Sequence, residues 1–441
     1  MYENKKIFIM GLAKSGFYVA KLIASHSKSN EIIATDLTDI DETSKEIFNN
    51  LNIKFIKSDS QIDLLDDSFD VLIKNPGILP SNEVIKKAES LGIDIVNEME
   101  VAYHYLPKNI TIIGVTGSNG KTTTTTIIYE ILKKMGKSVV LGGNIGFPLS
   151  QVADTVHEND ILLLEISDHQ LLNFKDFKTN ISVLTNVCPT HLDYHGSYEK
   201  YMWTKSKIFN LHTKDDLAVI NEFNNDSLTI TKDIPSKKIY FNGKDAYIKD
   251  EGLYIYDELI IKCNEIMLKG IHNYENILAA LLVINEFGID KKIVKEFLKT
   301  FVGVEHRIEF VRELNGVKYY NDSKSTNPTA TITALKTFDE PIHLILGGLE
   351  RNQDFNEINE YINKVKCIYA IGEITDRIKE YADKVNAKCI KCNKLGVAIE
   401  KISENVMNGD VVLLSPASAS QDQYAKFEDR GNEFKILVAK L

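Results

Sequence analysis

The sequence has few cysteines and no long apolar run. Its five cysteines are odd in number and scattered through 441 residues, which argues against a disulfide framework. No stretch approaches the roughly 20 apolar residues of a membrane-spanning helix, and residues 1–6 are polar and lack the apolar core of a signal peptide. We therefore expect a cytoplasmic protein that does not insert into a membrane.

Cys389 and Cys392 form a lone C-x-x-C pair. A zinc site would need a second pair of ligands nearby, and the sequence offers none. We interpret the spacing as incidental, with a metal or redox role as the alternative.

Cationic residues are too few for a basic surface. Lysine and arginine number 52 against 62 aspartates and glutamates, which gives a net charge of -10. A nucleic-acid partner would need a basic face, so we expect none. A nucleotide ligand stays compatible with this charge because one local basic loop is sufficient.

Residues 112–123 carry the most informative pattern, an apolar run that breaks into glycines and ends in Gly-Lys-Thr at 120–122. Glycines let backbone N–H groups surround a triphosphate, the lysine meets the β- and γ-phosphates, and the hydroxyl meets Mg²⁺. Apolar spacing predicts the required helix over 123–135. Val115 stands where the strict pattern has glycine, so this is a variant phosphate loop; a glycine turn without a ligand is the alternative.

The first hundred residues alternate short apolar runs with helical stretches, as buried parallel strands and their helices do. The glycine turn at 11–16 follows the first strand and Asp36 ends the second, which resembles a dinucleotide-binding fingerprint. Asn75 follows the third strand. This pattern predicts an anionic ligand at the carboxyl ends of the strands without identifying it, so an NAD-dependent oxidoreductase is one alternative.

The alternation resumes after a plausible linker at 106–109 and again near Phe301, which predicts an α/β fold in three domains. Period-two alternation over 238–263 predicts a small flanking antiparallel sheet in the second domain. The expected domains are a Rossmann-like domain over 1–106, a phosphate-loop ATPase domain over 107–302 and a second Rossmann-like domain over 303–441.

Three polar residues of the second domain are candidate metal or catalytic groups. Glu165 ends an apolar strand, where an acid beside a phosphate loop typically binds Mg²⁺; a helix cap or a surface acid is the alternative. His191 follows another strand end, and its residue type alone does not separate a structural from a functional role. Lys205 lies in a helical stretch and could equally be a solvated lysine.

A polar loop opens the third domain. Residues 321–328 combine an acid, Lys324 and several hydroxyl or amide side chains, and Arg307 precedes them. Turn chemistry explains the Asn-Asp-Ser and Asn-Pro steps. It explains the two cations less well, because two cations near a triphosphate would stabilise charge on a transferring phosphoryl group. The serine-rich loop within 414–420 suits a small polar substrate.

Several of these motifs occur together in one order. They are residues 116–123, 142–146, 272–276, 306–307 and 321–324. In this order the sequence resembles the Mur ligases of peptidoglycan synthesis over the whole chain. The ending over 414–434 resembles the members of that family that add D-glutamate.

The resemblance implies an ATP-dependent amide ligase. The carboxylate of UDP-N-acetylmuramoyl-L-alanine would attack the γ-phosphate of ATP and form an acyl phosphate. The amine of D-glutamate would then displace phosphate. The resemblance also implies two Mg²⁺ ions, small-molecule substrates and a monomer.

The resemblance assigns roles to individual residues. Those implied for ATP are Gly117, Ser118, Asn119, Gly120, Lys121, Thr122, Thr123, Asn273, Asn276, Arg307, Asp322 and Lys324. Those implied for metal are Thr122, Glu165, His191 and Lys205, and those implied for catalysis are Lys121, His191, Lys205 and Lys324. Lys205 matches the lysine that the family carries as a carbamate, an anion that helps to bind Mg²⁺ where an ammonium would repel it.

The two organic substrates have their own implied residues. Those for UDP-N-acetylmuramoyl-L-alanine are Leu12, Ala13, Lys14, Ser15, Asp36, Asn75, Asn144, Ser167 and His191. Those that the resemblance implies for D-glutamate are Thr326, Arg351, Ser420 and Phe427, where a cation and hydroxyls would meet its two carboxylates.

A few positions depart from the family pattern. Asp168 and His169 stand where serine and phenylalanine are usual, and Pro-Thr at 189–190 replaces an acidic pair before His191. The sequence therefore leaves the orientation of His191 undetermined. Arg351 replaces a lysine found in some members, and arginine can still bind a carboxylate with two hydrogen bonds.

Other functions remain as alternatives. Within the ligases, the chain could add another amino acid or belong to the folylpolyglutamate synthetases, although the Ser-Pro-Ala ending at 415–417 argues against both. Outside them, the alternatives are the NAD-dependent oxidoreductase and a nucleotide-dependent regulatory module.

Overall fold

Short apolar runs form the strands of three sheets in the computed structural model, which describes residues 2–351 and 353–441. The chain divides into two units, Met1–Lys299 and Thr300–Leu441, and each is described by itself. The first unit contains two of the sheets and the second unit contains the third. The predicted three-domain α/β fold is confirmed.

The first sheet is entirely parallel. Its strands are β1 (Lys6–Met10), β2 (Glu31–Asp36), β3 (Ile53–Lys57), β4 (Val71–Lys74) and β5 (Asp94–Val96), and its helices are α1 (Lys14–His26), α2 (Glu42–Asn50), α3 (Glu83–Leu91) and α4 (Glu98–Tyr103). The strand order is β3-β2-β1-β4-β5. Ile7 and Ile9 pack into one hydrophobic cluster and Phe8 into another, so both faces of the sheet are covered.

The second sheet has nine strands. They are β6 (Thr111–Thr116), β7 (Val139–Gly143), β8 (Ile161–Glu165), β9 (Ile181–Leu184), β10 (Leu217–Asn221), β11 (Lys237–Phe241), β12 (Ala246–Lys249), β13 (Gly252–Ile255) and β14 (Glu258–Lys262). The accompanying helices are α5 (Lys121–Lys134), α6 (Leu149–Val152), α7 (Asp168–Leu171), α8 (Leu192–His195), α9 (Tyr198–Ser206), α10 (Asn225–Ile230), α11 (Ile271–Asn285) and α12 (Lys291–Thr300).

Strand order in this sheet is β14-β13-β12-β11-β10-β9-β6-β8-β7. The antiparallel strands predicted over 238–263 are present as β12, β13 and β14. They form the edge of the same sheet, joined through a single parallel pairing of Phe241 with Ala246, and β11 runs parallel to β10. Period-two alternation shows that one face of a strand is exposed, but it carries no information about which sheet the strand joins.

Helix α4 connects the first sheet to the second within the first unit. Its N-cap residue, Asn97, donates a hydrogen bond to the Gln170 carbonyl, and the Glu98 carboxylate accepts one from the Ser150 N–H at the start of α6. Glu100 accepts three backbone N–H groups of residues 175–177. The two buried carboxylates accept hydrogen bonds from backbone N–H groups that would otherwise need water. Through these bonds α4, which follows the last strand of the first sheet, is attached to the connections between strands of the second sheet.

The sheet of the second unit is parallel except at one edge. Its strands are β15 (Glu309–Leu314), β16 (Val317–Asn321), β17 (Ile342–Gly347), β18 (Val365–Ile371), β19 (Cys389–Asn393) and β20 (Val411–Leu414), and its helices are α13 (Pro328–Lys336), α14 (Thr375–Lys384), α15 (Leu395–Ser403) and α16 (Phe427–Ala439). The order is β15-β16-β20-β17-β18-β19, with β15 antiparallel. Over the described part of the chain, no helix combines the length and apolar character that crossing a bilayer would need.

Candidate active site

The predicted phosphate loop lies between β6 and α5. Gly117 and Gly120 have φ values of 145° and 82°, in the left-handed region that favours glycine. A Cβ atom at Gly120 would overlap the Asn276 amide oxygen, and one at Gly117 would overlap the Thr185 hydroxyl. The loop therefore needs glycine at both positions, while Val115 is simply a buried strand residue.

Lys121 folds back over this loop. Its Nζ donates hydrogen bonds to the carbonyl oxygens of Gly117 and Ser118, at 2.8 and 3.0 Å. Lys121 is also the first residue of α5, whose N-terminal N–H groups and dipole favour an anion. Thr122 is buried in the same first turn. The lysine, the hydroxyl and the helix end thus meet where a phosphate chain would bind.

Helix α11 brings its asparagines to the loop from a distant part of the sequence. Asn276 is buried, and its Oδ1 lies 3.4 Å from the Thr124 hydroxyl on α5. Asn273 lies one turn earlier on α11 and donates a hydrogen bond to the Lys269 carbonyl at 2.8 Å. The fold therefore places Asn276 beside the loop, as the resemblance implies for a nucleotide contact.

Glu165 ends β8, and β8 pairs with β6 directly beside the phosphate loop. Its Oε1 accepts a 2.7 Å hydrogen bond from the Asn144 amide. Its Oε2 is buried and has no hydrogen-bond partner within residues 2–351 and 353–441. A buried carboxylate oxygen without a partner is costly unless a cation binds it, so this residue fits a Mg²⁺ ligand.

Asp168 lies at the centre of a cluster of charged and ring side chains. Its carboxylate is buried, with Oδ2 3.1 Å from His191 Nδ1 and 2.7 Å from His195 Nε2. Its Oδ1 lies 3.4 Å from Lys205 Nζ. Burial by itself would raise the pKa of this carboxyl, but the hydrogen bonds from the two histidines and the nearby lysine hold it far below its usual range.

Lys205 is completely buried on α9. Its Nζ donates to the Thr116 hydroxyl at 3.2 Å and the Gly117 carbonyl at 3.1 Å, which places it directly beneath the phosphate loop. Burial and the neighbouring Lys121 lower its pKa to about 7. The solvated-lysine alternative is therefore wrong, and a neutral amine is the form that can add carbon dioxide.

A cavity of about 450 Å³ lies between the first and second sheets. It collects predicted substrate residues from four separate parts of the sequence. They are Lys14, Ser15, Asn75, Asn144 and Ser167. His169 and Glu98 also line it, and neither residue carries a predicted role. Burial raises the pKa of Glu98 to about 7.

A second cavity, of about 360 Å³, lies at the strand ends of the first sheet. Asp36 lines it and accepts hydrogen bonds from the backbone N–H groups of Leu12 and Thr38, at 2.6 and 3.0 Å. Gln61 is a further lining residue that sequence reasoning missed. Ala13 lies at the N-cap of α1, next to this turn. The predicted glycine turn and acid therefore do meet at one edge of the sheet.

In the second unit, Asp322 follows β16 and is fully buried. Its Oδ2 accepts a 2.6 Å hydrogen bond from the Ser415 hydroxyl, and its Oδ1 accepts one from the Ile308 N–H at 3.2 Å. Burial raises its pKa to about 6, an effect that Arg307 partly opposes. Lys324 lies in the same loop, where its N–H donates to the His306 carbonyl. The predicted acid and cations are thus grouped at one strand end.

The predicted D-glutamate residues lie in three loops of the second unit. Thr326 is in the loop after β16, Arg351 is exposed in the loop after β17, and Ser420 is buried after β20. The Ser420 hydroxyl has no hydrogen-bond partner in the described part of the unit. Phe427 begins α16.

Arg430 on α16 was not predicted from the sequence as a functional residue. It is fully buried, and its guanidinium donates to the loop after β16, the last residue of β17 and the loop after β20. The acceptors are the hydroxyl and carbonyl of Ser323 and the carbonyls of Gly347, Ser418 and Ala419. One side chain therefore connects two of the loops that carry the predicted D-glutamate residues with the strand end from which the third begins. The sequence feature that could have identified Arg430 is the motif at 427–434, to which it belongs.

The described geometry first defines a class. A glycine loop with a lysine and a helix end, beside a buried strand-end carboxylate, is the site of a phosphate-loop nucleotide-binding α/β protein. Residues 115–284 match the Mur ligase middle domain, and residues 306–418 match the Mur ligase, glutamate ligase domain.

Relatives extend the match over the whole chain. UDP-N-acetylmuramoylalanine–D-glutamate ligases from Streptococcus pneumoniae strains P1031 and CGSP14 are each 42% identical, covering 100% of this chain and 98% of theirs. The protein belongs to the Mur ligase family. Among solved structures, UDP-N-acetylmuramate-alanine ligase MurC from Thermotoga maritima shares the fold, with a TM-score of 0.60, 18% identity and 99% coverage of both chains. MurF ligase from the same organism, solved with ADP, has a TM-score of 0.57, 21% identity and coverage of 93% of this chain and 96% of that one.

Proposed function

We propose that the protein is the ATP-dependent ligase that joins D-glutamate to UDP-N-acetylmuramoyl-L-alanine, in the synthesis of peptidoglycan precursors. The observation that carries the proposal is its 42% identity, over its full length, to ligases named for this reaction. The phosphate loop and the 450 Å³ cavity of the first unit support the proposal, since they would give a triphosphate and a second substrate separate sites. An NAD-dependent oxidoreductase is not favoured, because the relatives that match the full chain are named as ligases.

The first step transfers a phosphoryl group. Lys121 and the N–H groups of the loop would bind the β- and γ-phosphates, with Asn273 and Asn276 at the nucleotide. The terminal carboxylate of UDP-N-acetylmuramoyl-L-alanine attacks the γ-phosphorus, ADP leaves, and an acyl phosphate forms. An unactivated carboxylate resists attack by an amine, and phosphate as leaving group removes that barrier. Lys121 stabilises charge on the transferring group.

The second step forms the amide. The D-glutamate amine attacks the acyl carbon and phosphate leaves. Thr326, Arg351, Ser420 and Phe427 are proposed to bind D-glutamate, with Arg351 bidentate to one carboxylate. Arg307, Asp322 and Lys324 are proposed to contact the nucleotide.

The metal ligands are proposed from the residues that fit them. Thr122 and Glu165 would bind one Mg²⁺, and His191 and a carbamate on Lys205 would bind another. When bound, Mg²⁺ neutralises charge on the phosphate oxygens. The buried, unpartnered Glu165 oxygen and the buried Lys205 amine support these assignments.

Further parts of the proposal concern the protein as a whole. We propose three functional domains over 1–106, 107–302 and 303–441. The UDP-containing substrate would bind to the domain over 1–106, at Leu12, Ala13, Lys14, Ser15, Asp36 and Asn75. A monomer in the cytoplasm is the expected form of the enzyme.

The test is a phosphate-release assay across a panel of substrates. We expect release to require ATP, UDP-N-acetylmuramoyl-L-alanine and D-glutamate together, and labelled γ-phosphate to appear in a trappable acyl phosphate. Equal turnover with L-alanine, L-lysine or meso-diaminopimelate would reject the substrate assignment. Phosphate release that ignores both co-substrates would instead support a regulatory nucleotide-binding module.

Two variants test the residues. Lys121→Ala should abolish turnover without unfolding the protein, while Lys134→Ala, at the other end of the same helix, should retain it. Lys205→Ala should also be inactive, and added short carboxylic acids should restore activity if a carbamate is the working group. Failure of these acids to restore any activity would count against the carbamate alone.

A further inference from the structure

Asp168 contacts His191. The two residues directly before His191 are proline and threonine, so neither offers it a carboxylate, and the fold supplies one from α7, 23 residues earlier in the sequence. Asp168 Oδ2 lies 3.1 Å from His191 Nδ1. The orientation left undetermined by the sequence is thus determined by a tertiary contact.

The chemistry of this contact fixes which nitrogen of His191 carries the proton. An ionised carboxylate can only accept hydrogen bonds, so Nδ1 must donate. In the neutral ring the lone pair then lies on Nε2. The His191 side chain is 48% exposed, whereas Asp168 is 2% exposed. A half-exposed ring is therefore anchored through Nδ1 by a buried acid, with the opposite nitrogen available to a metal ion.

Asp168 itself is held firmly. It is the first residue of α7, where Ser167 and Gln170 form a reciprocal capping box. His195 Nε2 donates to the same oxygen at 2.7 Å. The capped helix end and the hydrogen bonds from the two histidines hold this buried carboxylate in one orientation. A ligand held by such a partner loses little freedom on binding metal.

We propose that Asp168 is the positioning residue for His191: its carboxylate holds the ring in the Nδ1–H tautomer and directs Nε2 to the metal. The metal part rests on the proposed function, but the tautomer part does not. Ligating histidines commonly donate their other ring N–H to a carboxylate, and loss of that partner typically weakens metal binding about 10–100-fold. In a triad hydrolase, the Asp-to-Asn change preserves geometry and produces the wrong tautomer, and Asp168→Asn should act in the same way.

The experiment reads the tautomer directly. Imidazole ¹⁵N chemical shifts of the full chain are recorded near pH 8, above the ordinary histidine pKa of about 6.5, and His191→Gln identifies the His191 signals. We expect the Nδ1–H form in the unsubstituted protein and a shift toward Nε2–H in Asp168→Asn. Binding of Mn²⁺, measured by electron paramagnetic resonance without ATP, should weaken about 10–100-fold in that variant.

A matched control is Asp226→Asn, which removes the carboxylate partner of the Tyr198 hydroxyl near α9. It should leave both readouts unchanged. A His191 ring with its proton on Nε2 in the unsubstituted protein would overturn the proposal. It would leave Nδ1 free to form a direct ligand set with Asp168 and His169, whose ligand atoms lie within 4.8 Å of one another.

The tautomer of the unsubstituted protein is read without Asp168→Asn, so a failure of that variant to fold does not prevent the test. If that variant folds and keeps both the tautomer and the Mn²⁺ affinity, the proposal is also overturned. If the unsubstituted protein shows the expected tautomer but has no ligase activity in the panel assay, the proposed function is refuted and the positioning role of Asp168 stands.

Discussion

Replacing Arg430 with methionine tests whether one buried side chain holds two loops and a strand end of the second unit together. Methionine fills similar space but donates nothing, so the carbonyls of Ser323, Gly347 and Ser418 lose the guanidinium as donor. The Ala419 carbonyl also loses it but keeps its hydrogen bond from the Leu349 N–H. Each buried acceptor left without a partner costs at least about 1 kcal/mol. Part of this loss is offset because the guanidinium no longer has to be desolvated.

The net loss is expected to be about 2 kcal/mol, given three orphaned acceptors and this partial offset. Such a loss in the local opening free energy corresponds to about a 30-fold faster amide exchange. Hydrogen-exchange mass spectrometry can follow the Gly347 and Leu349 N–H groups, which donate to Pro416 and Ala419 across the loops. Both should exchange faster in Arg430→Met, while amides in the first unit should be unaffected.

The control is Arg312→Met. Arg312 also donates to two carbonyls, those of Val438 and Ala439, but at the partly exposed end of α16. It should leave Gly347 and Leu349 protected. Unchanged exchange at these amides in a folded Arg430→Met protein would show that the loops are rigid without the guanidinium, and the reasoning would be wrong.

Two further predictions concern the first unit. Burial lowers the pKa of Lys74 to about 8, against about 10.4 in an unfolded chain. Between these two pH values the native state binds fewer protons than the unfolded state, so the stability of the protein rises with pH. In urea titrations, the free energy of unfolding of the unsubstituted protein relative to Lys74→Met should increase by about 3 kcal/mol from pH 8 to 10.5. A difference that does not change with pH would contradict this prediction. Gly120→Ala should weaken ATP binding more than about tenfold in equilibrium dialysis, because a Cβ there overlaps Asn276 at positive φ. Gly136→Ala, with a similar φ and open space, is the control and should bind ATP normally.

The sequence by itself determined the strands and the phosphate loop. Strands covered on both faces are nearly continuous apolar runs, so β1, β4, β8 and β20 could be located without any partner. The phosphate loop could also be predicted from a short segment, because its glycines, its lysine and the start of its helix lie within a dozen residues. Each of these features has a stated role in binding a phosphate chain. The domain pattern followed from the repeated alternation of strands and helices.

Only the tertiary structure decided which charged residues meet. Asp168 contacts His191 and Lys205 across 23 and 37 residues, and Arg430 contacts Ser323 across 107. A hydrogen bond depends on the position of two groups in space, and apolar periodicity records burial without recording partners. For the same reason the sequence placed β12 to β14 in a separate sheet, whereas backbone pairing joined them to the edge of the central one.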